Sequence, residues 1–350
     1  MTQHSSALSE YRLLGRSGLR VSPLSLGTMT FGAPWGCDEP EAKRIFDAYV
    51  GAGGNFIDTA NYYGRGASEQ MLGRFAAERR EQLVLATKYS LALDPGNPNA
   101  CGNHRRNMVR SVEDSLRRLS TDYIDLFYLH MWDATTPVDE IMRAFDDLVR
   151  SGKVVYIGIS DTPAWQVARM QMLAELRGWT PFAALQIEYS LLQRTVERDL
   201  IPMAAELGLG VMPWSPIGGG RLSGKYRDAS GTAGGRAEAL TQAGLITPTV
   251  LEIADTVRRV ATRHKRSAAE IALAWTLLNP AITAPIIGAR TLDQLQQNLG
   301  VLDLRLSAED IVELEQVSRI DLGFPHDFLK TPHSVAALAA GTRVAARGRA

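Results

Sequence analysis

Cysteine is scarce in this chain, which has only Cys37 and Cys101. Two cysteines cannot make a disulfide framework, so apolar packing has to carry the fold and a reducing compartment is implied. Long apolar stretches are also missing. No run approaches the roughly 18 residues that mark a membrane-spanning helix. The first ten residues are polar, with no apolar segment to serve as a secretory leader. The cytoplasm is therefore the expected location. Net charge is lacking as well, with 38 basic residues against 38 acidic ones. A nucleic-acid partner would call for a basic face, and the balance argues against one. Cys101 and His104 are spaced as metal ligands could be, but no second pair lies nearby, and no metal is expected.

What is present is a regular alternation. Of 350 residues, 45% are hydrophobic and 22% charged, an ordinary globular balance at a length that suits one α/β barrel. Eight short apolar runs read as strands: Leu24–Met29, Asn55–Thr59, Leu83–Lys88, Tyr123–His130, Val154–Ser160, Ala184–Tyr189, Gly210–Trp214 and Ile282–Gly288. Several are apolar throughout, as strands buried on both faces are. Helix-like segments lie between them, among them Glu39–Ala52, Asn103–Leu119, Pro137–Arg150 and Ala268–Leu278, bounded by proline at the start or by glycine or Asn-Pro at the end. Eight βα units predict a (β/α)8 TIM barrel occupying residues 1–333. Tyr11–Ser22 reads as an N-terminal β-hairpin plugging the barrel floor, and the glycine- and alanine-rich stretch 227–244 as a long loop after the seventh strand. The Ala/Arg-rich tail, residues 334–350, is expected to be disordered.

Barrel chemistry sits at the C-terminal ends of the strands. In order, those ends and the loops just after them present Asp58 and Tyr63, Lys88, His130, Ser160 and Asp161, Gln186 and Glu188, Trp214 and Ser215, and Gly288 with Arg290. Taken singly, each has a plain structural reading: an ion pair for the Asp or Lys, packing for the Tyr, a satisfied core imidazole for the His. Together they face one cavity. A phenol holds a proton at neutral pH and can donate it. A nearby ammonium favours the phenolate left behind and is expected to lower that pKa. A carboxylate keeps the ammonium charged and placed, and an imidazole can orient a carbonyl oxygen. That is equipment for protonating an alkoxide as hydride reaches a carbonyl carbon.

Three blocks carry a family resemblance: Gly54-Asn55-Phe56-Ile57-Asp58-Thr59-Ala60-Asn61-Tyr62-Tyr63-Gly64, Leu85-Ala86-Thr87-Lys88 and Tyr123-Ile124-Asp125-Leu126-Phe127-Tyr128-Leu129-His130. The sequence resembles the aldo-keto reductase superfamily from about Leu13 to Leu329. Its segments 158–165 and 193–199 are similar to the microbial aryl-alcohol-dehydrogenase-like group, which points towards aromatic aldehydes. The resemblance implies Tyr63 as general acid, Lys88 and Asp58 as its tuning pair, and His130 as the group orienting the carbonyl. It implies NADP(H) as cofactor, with nicotinamide held by Ser160, Asp161, Gln186 and a stacking Trp214. The phosphates would lie under Ser215, Pro216, Gly218 and Arg221. The adenosine end would lie against Gly288, Arg290, Gln294, Gln297 and Asn298, with Arg290 and Gln294 as candidates for the 2′-phosphate and the next helix N-terminus favouring an anion. Asp161 departs from the pattern, since many members have Asn there. Ionised Asp can only accept hydrogen bonds, whereas Asn can also donate.

The glycine-rich stretch Gly64-Arg65-Gly66 follows a tyrosine and lacks the later glycine of a dinucleotide fingerprint. The pocket mouth is expected to carry Phe31, Trp35, Tyr89, Trp132 and Tyr189. The expected function is NADPH-dependent reduction of aldehydes or ketones, aromatic or otherwise hydrophobic, as small-molecule partners. The competing reading is a regulatory subunit of the same superfamily that binds cofactor and senses redox state with little turnover. A panel of aldehydes assayed with NADPH separates the two. A pure scaffold has no need of this polar ring.

Overall fold

The structure, a computed structural model, describes residues 7–223 and 243–342. Eight parallel strands follow one another round a barrel: β1 (Ser25–Gly27), β2 (Phe56–Asp58), β3 (Val84–Tyr89), β4 (Ile124–Leu129), β5 (Val154–Ser160), β6 (Phe182–Glu188), β7 (Gly210–Trp214) and β8 (Ile286–Gly288). Strand β8 pairs with β1, and β7 meets the chain just before β8 through a parallel bridge between Val211 and Ile282, with Thr283 N donating to Val211 O at 2.9 Å. The result is a nearly closed (β/α)8 barrel, and each of the eight apolar runs contributes its strand.

Period-two alternation sorts the strand residues into two cores. Inside the barrel, Phe56, Val84, Ala86, Leu126, Tyr128, Ala184, Met212 and Ala284 pack together. Their sequence neighbours Ile57, Leu85, Phe127, Leu129, Leu185 and Val211 point outward and pack under the helices. The helix Val138–Arg150 shows why these segments coil: Val138, Ile141, Met142, Phe145 and Leu148 recur at helical spacing and are all buried. Gly158 is needed where β5 passes Tyr128, because a Cβ there would lie 2.3 Å from the tyrosine ring.

The predicted hairpin is present. Arg12–Leu13 pairs antiparallel with Arg20–Val21, and Leu14 and Val21 plug the N-terminal end of the barrel. Arg12 locks it in place by donating to the carbonyls of Ile282 and Thr283. The tail departs from expectation. Residues 334–339 belong to a helix, Pro332–Ala339, because Thr331 caps it by accepting from Ser334 N and a proline opens it. Residues 343–350 and almost all of the stretch 227–244 lie outside the described residues. No helix among the described residues is long and apolar enough to cross a membrane.

Candidate active site

A cavity of about 640 Å³ opens at the C-terminal end of the barrel. Its floor is built by the inward parity of the strands. Asp58 stands two residues beyond Phe56, Lys88 two beyond Ala86, His130 two beyond Tyr128 and Gln186 two beyond Ala184, each continuing an interior stripe.

Lys88 is wholly buried, and its ammonium is fully directed. Nζ donates to Asp58 Oδ1 at 2.5 Å, to Thr59 O at 2.8 Å and to Tyr63 Oη at 3.4 Å. The other oxygen of Asp58 accepts from Gln186 Nε2 at 2.8 Å. Burial alone would push the Lys88 pKa down, but Asp58 and Tyr63 outweigh it and hold the group above its ordinary value. Tyr63 sits on a short turn, Tyr63–Gly66, whose Gly66 takes φ +96° beneath the Arg118 side chain, 2.7 Å from where a Cβ would be. Burial raises the phenol pKa further than Lys88 lowers it. The expectation of a depressed phenol is therefore corrected: desolvation wins, and Tyr63 keeps its proton at neutral pH. His130 stands edge-on to the Tyr63 ring, centroids 6.0 Å apart. Burial first, and Lys88 second, pull its pKa down to about 3, so the imidazole is neutral.

Beyond the tetrad, Ser160, Asp161, Gln186, Trp214, Ser215, Pro216, Gly288, Arg290, Gln294, Gln297 and Asn298 all line the same cavity. Ser160 Oγ is buried and has no hydrogen-bond partner among the described residues. Asp161 adopts φ +40°, and its Oδ1 accepts from the Trp214 indole at 3.0 Å. Burial raises its pKa against the opposing pull of Trp214 and Lys88. Among the described residues the Arg290 guanidinium has no hydrogen-bond or ion-pair partner, while its backbone N donates to Gln294 Oε1 at 2.9 Å. Asn298 ties back to Gly288 O. The helix Leu292–Leu299 begins beside them, but its first donors are taken: Leu292 N donates to Glu41 Oε1 and Gln294 N to Thr291 Oγ1.

Several expected residues stand elsewhere. Gly218 and Arg221 do not line the cavity. Gly218 packs against Leu192, and Arg221 donates to Gly218 O and faces Glu188 at 3.8 Å. The loop wall is instead made by Ile217, Gly219 and Gly220, the two glycines at φ +63° and +89°. The aromatic mouth is smaller than expected. Of its proposed residues only Trp35 lines the cavity, 47% exposed. Tyr89 and Tyr189 have the outward strand parity. Tyr89 stacks on Phe127, and Tyr189 packs on Trp275. Phe31 is buried edge-on to Phe75, and Trp132 packs against the outer core. The wall gains residues that the sequence pattern did not point to: Met29, Tyr62 and Leu91, and Ala269 and Leu273 from the helix Ala268–Leu277. Tyr62 adjoins Tyr63 and could have been found. Ala269 and Leu273 could not, since an apolar residue on a buried helix carries no sign of which cavity it reaches.

A cavity with a serine hydroxyl and an arginine unpartnered among the described residues, an indole and a pair of left-handed glycines suits a dinucleotide. Trp214, Ser160 and Asp161 would hold its nicotinamide end, and Arg290 its phosphorylated adenosine end.

Residues 23–319 match the sequence model of the Aldo/keto reductase family. The chain is similar to a norsolorinic acid reductase of Aspergillus flavus, 39% identical over 93% of this chain and 85% of that protein. It is also similar to a putative aryl-alcohol dehydrogenase of Saccharomyces cerevisiae, 38% identical over 92% and 90%. An aryl-alcohol dehydrogenase [NADP(+)] of Phanerodontia chrysosporium is 36% identical over 88% and 86%.

Proposed function

The chain belongs to the aldo/keto reductase family and is an oxidoreductase, and from that premise we propose that it reduces aromatic or other hydrophobic aldehydes and ketones to alcohols with NADPH. One observation carries the reading: a buried lysine directs one donor at a carboxylate and another at a protonated phenol, and that phenol lines an apolar-walled cavity. The names of the relatives support the substrate class, and one of them, the aryl-alcohol dehydrogenase [NADP(+)], supports the cofactor.

NADPH supplies the hydride. Tyr63 gives its proton to the carbonyl oxygen as charge develops there, and Lys88 stabilises the phenolate that remains. Asp58 keeps Lys88 charged and aimed, and is itself held on its second oxygen by Gln186. A neutral His130 hydrogen-bonds the carbonyl oxygen and orients it without competing as an acid. Trp35, Met29, Tyr62 and Leu91 give the substrate an apolar wall. The test is NADPH consumption, followed by absorbance, with a panel of aromatic and aliphatic aldehydes. Turnover fastest with the aromatic members is expected. Cofactor binding without turnover of any carbonyl would overturn the reading.

A further inference from the structure

The charges around the cavity do not all find an opposite. Its ionisable walls are Asp58, Tyr62, Tyr63, His130, Asp161 and Arg290. Asp58 is neutralised by Lys88 at 2.5 Å. Tyr63 keeps its proton and His130 is neutral. Arg290 stands at the end of β8, three strands round the barrel from β5. Glu188, beyond the rim, faces Arg221. Asp161 differs from all of these. Its carboxylate hydrogen-bonds the neutral indole N–H of Trp214 and forms no ion pair with any described residue. A largely buried carboxylate held only by a neutral donor is costly, and a cation placed against it removes that cost.

We propose that Asp161 makes the site discriminate between the two redox states of its cofactor, favouring the oxidised form. The inference rests on the reading that the nicotinamide lies against Trp214. The oxidised ring carries one positive charge and the reduced ring none, while the phosphates and adenosine are the same in both. Any interaction that changes the ratio of the two affinities must therefore act at the ring, and Asp161 is the negative group bonded to the indole that would stack on it. Lys88 and Glu188 are the other charges that act on Asp161. Both carry counter-charges of their own, Asp58 and Arg221, so neither cancels it. By the thermodynamic cycle, a site that grips the oxidised ring more tightly makes the bound reduced form a stronger hydride donor.

The experiment is a pair of titrations, NADP⁺ and NADPH, followed by quenching of the protein's tryptophan fluorescence in the wild-type chain and in Asp161→Asn. Asn is isosteric and keeps an acceptor for the indole; it removes the charge and adds an NH2 donor that meets both redox forms alike, so the ratio of the two affinities reads the charge. The Kd for NADP⁺ is expected to rise about tenfold, the effect of losing one partly screened charge pair, with NADPH changing less than twofold. Equal changes for both forms, or no change for either, would overturn the proposal and leave Asp161 as a support for Trp214. If Asp161→Asn does not fold, Asp161→Ser carries the same comparison. A wild-type chain that binds neither form overturns the nicotinamide reading itself, and the proposal with it, so the two failures are distinguishable.

Discussion

The two ends of the barrel are built on opposite rules. At the N-terminal end the chain closes on itself: Leu14 and Val21 enter the barrel, Arg12 caps the carbonyls of Ile282 and Thr283, and Asn55 exchanges hydrogen bonds with Ser22. These polar groups are satisfied within the fold. At the C-terminal end three strands run directly into non-glycine residues of positive φ: Ser90 at +109° after β3, Asp161 at +40° after β5 and Ser215 at +53° after β7. Buried polar atoms there, Ser160 Oγ and His130 Nδ1, have no hydrogen-bond partner among the described residues. Strain and unmet hydrogen bonds cost stability and persist where surrounding structure enforces them, which is the pattern of a binding site. One end contributes stability and the other gives some of it up for a ligand.

The sharpest break in that contrast would come from Tyr63→Phe. It removes one oxygen from the mouth and leaves the packing nearly intact, and kcat for aldehyde reduction should fall by roughly 10²–10⁴ with the NADPH Kd unmoved. A variant keeping more than about a tenth of wild-type kcat would remove Tyr63 as the acid. The floor should respond in the opposite sense. Leu14→Ala leaves a cavity under the barrel and should destabilise the fold by about 2–5 kcal/mol in denaturant unfolding, while kcat measured on folded protein stays level. A matching loss of kcat would show that the two ends are not separable.

Within the mouth, Arg290→Ala should raise the NADPH Kd by roughly ten- to a hundredfold, the worth of a charged hydrogen bond to phosphate, and leave NADH almost unchanged. Fluorescence titration at one fixed salt concentration decides it, and equal losses for the two cofactors would return Arg290 to a structural role. Trp214→Ala should weaken both cofactors about tenfold through lost stacking. A fall in melting temperature with no change in Kd would instead make Trp214 part of the packing. The smallest expected effect is a flat line. With His130 titrating at about 3 and Tyr63 raised above its ordinary value, neither group changes charge between about pH 5 and 8, so kcat for reduction should show no bend there. A bend near pH 6.5 would mean that His130 is charged in the working enzyme.

Much of this was legible before any coordinates. Apolar runs rich in Val, Ile and Leu, separated by segments of helical period, mark all eight strands because a strand buried on both faces has little choice of residue. Asp58, Lys88 and His130 stand out because polar residues at the ends of apolar strands are rare without a use, and Tyr63, in the loop after Asp58, stands out through the family resemblance. The alternation also held a warning about Tyr89 and Tyr189. Each adjoins an inward residue, Lys88 or Glu188, and so must point outward. Aromatic character does not place these side chains; strand parity does.

What the sequence determined by itself, then, is the set of strands, their order and the polar positions at their C-terminal ends, since each follows from local pattern. Partnership was decided only by the tertiary structure. Gln186 donates to Asp58 across a separation of 128 residues, Glu41 occupies the start of a helix 251 residues away, and Asp161 is left with an indole and, among the described residues, no cation. The sign of the Tyr63 shift belongs with these, since it depends on how completely the barrel removes water from the phenol. Pairings and desolvation are properties of the closed barrel: they arise only when distant segments share one low-dielectric space, and no local pattern records which of them will meet there.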